Sequence, residues 1–169
     1  MKIAIVGAKP DTWEKVPQLG PEWEIWRYSR RNFRKPPKPH RWFELHNPKL
    51  FKQYDLSCPG YSQWLIENHA VTQHSFPKDR LIDEFGPYFF CGGQAPWIMA
   101  YAIMLNPETI GLWGIDPTGD YKPQKSEVQH FIQVAHDRGI EVIAPEDKIL
   151  EPRKLYAWEV FPGPWPSNK

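Results

Sequence analysis

Cysteine is scarce: 2 in 169 residues, too few for a disulfide framework or a zinc module. The six histidines, His40, His46, His69, His74, His130 and His136, show no zinc-ligand spacing and no His-Glu-x-x-His. Neither a metal nor any other cofactor is expected. Charge of one sign is also missing. Against 21 basic residues stand 20 acidic ones, a net charge of +1, so a uniformly basic nucleic-acid binder is not the first expectation. No apolar run reaches membrane-spanning length, and no signal-peptide pattern opens the chain. That makes a cytoplasmic protein without a membrane partner the expectation. The first glycine turn, Gly7-Ala8-Lys9-Pro10-Asp11, is neither a dinucleotide fingerprint nor a P-loop.

Aromatics, by contrast, are abundant. The 9 Trp, 9 Phe and 7 Tyr supply ample core material, which argues against disorder despite a mean hydropathy of -0.61. Charge is distributed unevenly: residues 1–60 carry 12 Lys/Arg against 6 Asp/Glu, and the remainder reverse the balance. The 19 prolines fall mostly between periodic segments and near the C-terminus. The length fits one domain, here residues 1–150, followed by a Pro/Trp-rich tail over 151–169. A homo-oligomer, if one forms, would use that Trp-rich tail.

Hydrophobic patterning predicts strands alternating with helices. Lys2 to Val6 reads as a buried first strand, Trp23 to Tyr28 as a second and Arg41 to His46 as a third, stopped by Asn47-Pro48. Residues 61–69 read as helix and 70–75 as a short strand. Gln94 to Leu105 is almost wholly apolar with an early Pro96, a buried helix. Thr109 to Ile115 reads as a central strand. Ser126, with Gln129 three residues on, predicts a capped helix bearing Val128, Phe131, Ile132 and Ala135 on one face and stopping at Gly139. Ile140 to Ala144 closes the series. Such alternation predicts an α/β fold with a mainly parallel sheet.

In an open parallel sheet, ligands bind beyond the carboxyl ends of the strands. That rule selects Gly7, Ala8, Lys9 and Pro10; Ser29, Arg30 and Arg31; His46 and Asn47; and Asp116. Gly92, Gly93 and Gln94 join them because they open the buried helix, whose N-terminal amides favour an anion. Tyr121 and Lys125 are placed to close over a ligand. Each glycine has a plainer account as a turn residue.

Between Arg27 and Arg41 stand seven positive residues, Arg27, Arg30, Arg31, Arg34, Lys35, Lys38 and Arg41, without one acid and with Tyr28, Phe33 and Trp42 interleaved. Guanidinium forks suit phosphate oxygens, and aromatics stack on bases. A solvated loop is the alternative. Glu44 and His46, two residues apart at a strand end, share a face on alternation. They are either an acid/base pair, the catalytic candidates, or a satisfied hydrogen-bonded pair in a pocket wall.

Several segments together resemble a known family: the opening strand with its Gly-x-x-Pro turn, Phe43-Glu44-Leu45-His46-Asn47-Pro48, Gly92-Gly93 opening a helix, and Ile110-Gly111-Leu112-Trp113-Gly114-Ile115-Asp116. Over roughly residues 2–145 they resemble the core of the bacterial sialyltransferases of glycosyltransferase family 42. They are similar also to small phage-encoded proteins sharing that core, in which stretches like Arg41 to His46 and Leu112 to Asp116 recur. The resemblance implies a Rossmann-like three-layer sandwich. It also implies a nucleotide pocket in which Gly7 to Pro10, Asn47 and Gly92-Gly93 hold a cytidine monophosphate-like group. The family's catalytic-histidine segment has no counterpart over residues 117–139.

The function expected from these features is binding of a small phosphorylated nucleoside: a nucleotide, an ADP-ribose-like molecule or a cyclic nucleotide. For a phage protein in the host cytoplasm, this would be sequestration of a host immune signal. An alternative is a small nucleotide or nucleotide-sugar transferase or hydrolase using Glu44 and His46. The third is a nucleic-acid or protein interaction module, with nucleic acid disfavoured by the acidic remainder of the chain.

Overall fold

The computed structural model describes residues 1–9, 14–28, 30, 33–36, 38–115, 122–144 and 149–150. Six strands form one sheet: β1 (Lys2–Val6), β2 (Trp23–Arg27), β3 (Arg41–Glu44), β4 (Val71–Thr72), β5 (Thr109–Trp113) and β6 (Glu141–Ile143). Their order is β4-β3-β2-β1-β5-β6, and every neighbouring pair is parallel. Five α-helices accompany them among the described residues: α1 (Phe51–Ser57), α2 (Tyr61–Glu67), α3 (Lys78–Phe85), α4 (Gln94–Met104) and α5 (Lys122–Asp137).

Strand alternation divides the core into two faces. From β1, Ile3 and Ile5 pack with α4 and α5 through Ile98, Met99, Phe131 and Ala135. Ala4 and Val6 face the other way, against Val16, Trp23 and Trp113. β3 splits likewise: Phe43 joins the α4 side, whereas Trp42 packs with Tyr54, Tyr61 and Leu65 of α1 and α2. Helices thus cover both faces, as a parallel sheet requires. The result is the three-layer Rossmann-like sandwich.

Registers set the levels of the strand ends. Val6, Arg27 and Trp113 are partners across β2-β1-β5, so the turns after these three strands leave the sheet side by side. The chain first builds outward from β1 to β4 and then returns to place β5 on the other side of β1. The switch point of the sheet therefore lies between β1 and β5.

Several boundaries differ from those expected. β3 ends at Glu44, two residues before His46. β6 is shorter than 140–144, and α2 stops at Glu67. The capping box at Ser126 does not form, because α5 begins four residues earlier with Pro123 as its second residue, a position that costs no hydrogen bond. Ser126 and Lys125 thus lie inside the helix. At its other end Gly139 takes φ +74, with Ile140 N–H bonding to Ala135 and Gly139 N–H to His136, a Schellman closure.

Candidate functional site

Glu44 is the centre of a buried polar cluster. Its carboxylate is fully buried, and both oxygens are engaged. Oε1 meets His46 Nδ1 at 2.5 Å and accepts the His46 backbone N–H at 3.0 Å. Oε2 accepts the Tyr61 hydroxyl at 2.5 Å, and Tyr61 in turn accepts from Trp42 Nε1 at 3.3 Å. Glu44 and His46 therefore meet, though not by strand alternation. The chain turns back after β3, and the turn is closed by Glu44 itself.

Burial alone would push the Glu44 carboxyl up. The hydrogen bonds from His46 and Tyr61, together with the His46 charge, outweigh it and hold the group below the usual carboxylate range. Tyr61 moves the opposite way: burial and the adjacent Glu44 charge raise its hydroxyl far above the ordinary tyrosine value. With Glu44 ionised, the hydrogen on Nδ1 belongs between His46 and Glu44. Gln94 Nε2, 3.2 Å from the same nitrogen, is then a neighbour and not its donor. The other ring nitrogen, Nε2, makes no contact with Glu44 and belongs to a ring whose side chain is 41% exposed.

Two glutamines fix the segment that carries the ring. Leu45 N–H donates to Gln94 Oε1 at 2.7 Å, and Leu45 C=O accepts from Gln73 Nε2 at 2.8 Å. Beside them opens a cleft of about 600 Å³. It is lined by Leu45 and His46 after β3, Gln73 and His74 after β4, Phe76 with Lys78 and Asp79 at the start of α3, and Phe90, Cys91 and Gly93 ahead of α4 with Gln94 and Trp97 in its first turn. Phe90 and Trp97 stack at 4.0 Å and give the cleft an aromatic wall. The volume suits a small organic ligand.

The basic run divides into structural and available arginines. Arg27 is buried on β2, donates to the Lys35 carbonyl at 2.5 Å, and is drawn down to about 10 by desolvation. Arg34 donates to the Pro59 carbonyl at 2.9 Å. Arg41 reaches Glu24 at 2.6 Å and the Tyr101 hydroxyl at 3.1 Å, and its bonds to Glu24 outweigh burial to raise it. Arg30 differs. Its guanidinium lies 3.5 Å from the Tyr54 ring centre, and Tyr54 meets His46 edge-on at 5.5 Å. One tyrosine thus links Arg30 to His46.

The turn after β1 is locked from within. Gly7 N–H donates to the Trp113 carbonyl at 2.7 Å, and Lys9 N–H to that of Gly114 at 3.0 Å. A Cβ on Gly7 would collide with the Gly114 carbonyl oxygen, and Gly114 itself sits at φ +64. Glycine at 7 is thus explained by the neighbouring backbone. Gly7 is buried, Ala8 exposed and Lys9 half-buried.

The Gly92 amide that was expected to be available to a ligand is occupied. Cys91 N–H donates to Glu127 Oε1 at 3.0 Å, and Gly92 N–H reaches both Glu127 oxygens at 2.9 and 2.8 Å. Gln124 covers Gly93. Asn47, exposed, uses its side chain to accept from Lys49 N–H and cap the short 3₁₀ turn Pro48–Leu50. Lys125 lies half-buried in α5. Pro10, Ser29, Arg31, Asp116, Tyr121 and the tail from 151 lie outside the described residues.

Of the expected residues, the structure gathers His46, Gly93 and Gln94 around one cleft, which lies at the β3 and β4 ends and not at the β1–β5 switch point. Tyr61, Gln73, His74, Trp97 and Glu127 were not expected there. Among the described residues no cluster of three or more His, Cys, Asp or Glu is arranged to hold a metal ion. Among them also, no helix is long and apolar enough to cross a membrane.

No family model matches the chain, and no curated protein matches it by sequence. Solved structures do match. The sialyltransferase CST-II, crystallised with a trisaccharide acceptor and CMP, gives a TM-score of 0.55 at 16% identity, covering 88% of this chain and 82% of that one. CstII from Campylobacter jejuni with cytidine-5'-monophosphate gives 0.52 at 18% identity, over 85% and 78%. The same enzyme with CMP-3FNeuAc gives 0.53 at 17%, over 88% and 81%. At these identities the likeness is one of fold: the chain shares the Rossmann-like architecture of these transferases.

Proposed function

We propose that the protein binds a small phosphorylated nucleoside across the carboxyl ends of β1, β2 and β3, with the uncharged part of the ligand in the cleft beside His46. The observation that carries this is the Arg30–Tyr54–His46 arrangement, which sets a guanidinium and an imidazole about one ring at adjacent strand ends. Adjacent strands lie about 4.8 Å apart, so the turn after β1, Arg30 and His46 span roughly 10 Å, the reach of a nucleoside monophosphate. Guanidinium forks suit phosphate oxygens, and the Phe90–Trp97 wall offers a face to a planar base. Similar folds crystallised with CMP support the ligand class.

The finer form of the proposal is a phage protein that withholds a host signalling nucleotide intact. Its support is the closure of the Glu44 cluster, in which both carboxylate oxygens are already satisfied and His46 is held still. A second reading has its own observation. Glu44 holds Nδ1 and leaves the other ring nitrogen of a partly exposed imidazole facing away from it, the arrangement in which a histidine takes a proton in nucleotide or nucleotide-sugar hydrolysis or transfer. The nucleic-acid reading loses ground, since Arg27, Arg34 and Arg41 are tied to the protein's own groups.

One experiment separates these. The purified protein is incubated with a pooled nucleotide library, heated, and the released small molecules are identified by mass spectrometry. An intact nucleotide in near-stoichiometric amount, diminished in Arg30→Ala, is the expected result. Product accumulating far above protein concentration, and lost in His46→Ala, establishes turnover. Release of no nucleotide overturns the proposal.

A further inference from the structure

Two glutamines on the cleft are only half used. Gln94 Oε1 accepts the Leu45 N–H at 2.7 Å, and Gln73 Nε2 donates to the Leu45 C=O at 2.8 Å. Leu45 thereby settles which way each amide faces: its N–H can meet only the oxygen of Gln94, and its carbonyl only the nitrogen of Gln73. The other half of each amide remains. Gln94 Nε2 stands 3.2 Å from His46 Nδ1, whose hydrogen is already committed to Glu44, so that contact is not a hydrogen bond. Gln73 Oε1 has no donor among the described residues. Both glutamines line the cleft. One residue holds both amides, and the N and O of a residue lie at most about 3.6 Å apart.

The rest of the lining says what those two atoms suit. Phe76 and Phe90 both meet the Trp97 ring, so one side of the cleft is apolar. Among the described residues no arginine lines it. Its Lys78 ammonium lies 3.6 Å from the Asp79 carboxylate, so that pair adds no net charge. A phosphate or carboxylate finds no guanidinium fork here. A neutral ring carrying a hydrogen-bond donor beside an acceptor finds a complement for each, and that pairing is the chemistry of a nucleobase edge.

We propose that Gln73 and Gln94 are specificity-determining residues of the cleft: Gln73 Oε1 accepts from a donor, and Gln94 Nε2 donates to an acceptor, on the edge of the ligand's base. The sugar and phosphate of that ligand rest on the function proposed above. A base without the donor leaves Gln73 Oε1 unpaired, which is how a hydrogen-bonding site rejects an analogue.

The test uses full-length wild type, Gln73→Lys and Gln94→Glu. Each is titrated with AMP, GMP, CMP and UMP, with ribose 5-phosphate, and with three monophosphates whose bases lack the edge donor. These are purine riboside, 2-aminopurine riboside and pyrimidin-2-one riboside monophosphates. The unphosphorylated nucleosides are titrated in parallel. Wild type is expected to bind at least one nucleotide more tightly than ribose 5-phosphate, and to bind its donor-less counterpart about tenfold more weakly. Gln73→Lys keeps a donor for the Leu45 carbonyl but removes the acceptor, so that ratio should shrink toward one. Gln94→Glu keeps the acceptor for the Leu45 N–H but removes the donor. It should weaken the nucleotide and its counterpart alike and preserve the ratio, a split that a merely structural role would not produce. If Gln73→Lys does not fold, the loss in Gln94→Glu decides.

A wild-type ratio near one, or a ratio unchanged in Gln73→Lys together with full affinity in Gln94→Glu, overturns the base-reading role while nucleotide binding stands. If the nucleosides bind with the same ratio and the phosphate adds nothing, the nucleotide reading falls and the base-reading role stands. No binding of nucleotide or nucleoside overturns both.

Discussion

Tyr61 donates its hydroxyl to Glu44 Oε2 at 2.5 Å, across 17 positions of sequence and from a helix to a strand end. The contact anchors a chain running Trp42, Tyr61, Glu44, His46 from the core to the cleft. Tyr61→Phe keeps the ring and removes the donor, leaving a buried carboxylate oxygen and the Trp42 N–H unpaired. The expected loss is about 2 kcal/mol or more in denaturant unfolding. Ligand affinity should fall as well, because the carboxylate that orients His46 loses its second anchor. A variant as stable as wild type would show that the chain has no structural weight.

Acid destabilisation should come in two steps. Burial holds His130 below its ordinary 6.5, so the unfolded chain takes up that proton first. Stability therefore falls as pH drops below about 6.5, until folded His130 also titrates. Glu44 is held below its ordinary 4.5. Again the unfolded chain protonates first, so a further loss begins as pH drops below about 4.5 and continues through the folded value. His130→Phe preserves the stack on Phe89 and should flatten only the upper step, whereas Glu44→Gln should reduce only the lower, to which Glu24 and Asp55, also held below their ordinary values, contribute. Unfolding curves taken across the acid range check both.

The sheet was legible because strands buried on both faces leave continuous apolar runs, as in Lys2 to Val6 and Thr109 to Trp113. α4 was legible for the same reason, being apolar on every side. α1 and α3 left no such trace: each has one buried side chain, Tyr54 and Leu81 respectively. At α5 the Ser126–Gln129 pair imitates a capping box inside a helix that starts at Lys122. In the site, Glu44 and His46 were visible as near neighbours in sequence. No spacing rule links Gly92 to Glu127, 35 residues on, or Glu44 to Tyr61. Those pairs are products of packing. Charge was visible in the basic run, but the direction of each arginine is set by strand alternation and by which carbonyls the loop brings near.

Gly7 and Gly139 test two different demands on glycine. At Gly7 the obstacle is the Gly114 carbonyl, which is backbone and cannot rotate away. Gly7→Ala must separate the turns after β1 and β5, at an expected cost of about 3 kcal/mol or more. At Gly139 nothing lies within 4 Å of an added Cβ, and only φ +74 opposes it. Gly139→Ala should therefore cost about 1 kcal/mol. Thermal melts of the pair rank the two effects, and equal losses would remove the close approach at Gly7 as the cause.

Arg41 and Arg30 carry the same charge in different jobs, and lysine separates them. Arg41 uses two faces of its fork at once, Nε to Glu24 and Nη1 to the Tyr101 hydroxyl, while lying 5.4 Å from the Trp26 ring. An ammonium cannot reproduce that geometry. Arg41→Lys should lower stability by about 1 kcal/mol, a figure kept small because both partners are partly exposed. Ligand binding should change little. Among the described residues, Arg30 has one ring contact, with Tyr54. Arg30→Lys should leave the melting temperature nearly unchanged and weaken phosphate binding by about tenfold through loss of the bidentate fork. The crossed result, stability lost at Arg30 and binding lost at Arg41, would place the phosphate at the β2–β3 edge beside Glu24 and displace it from the strand ends.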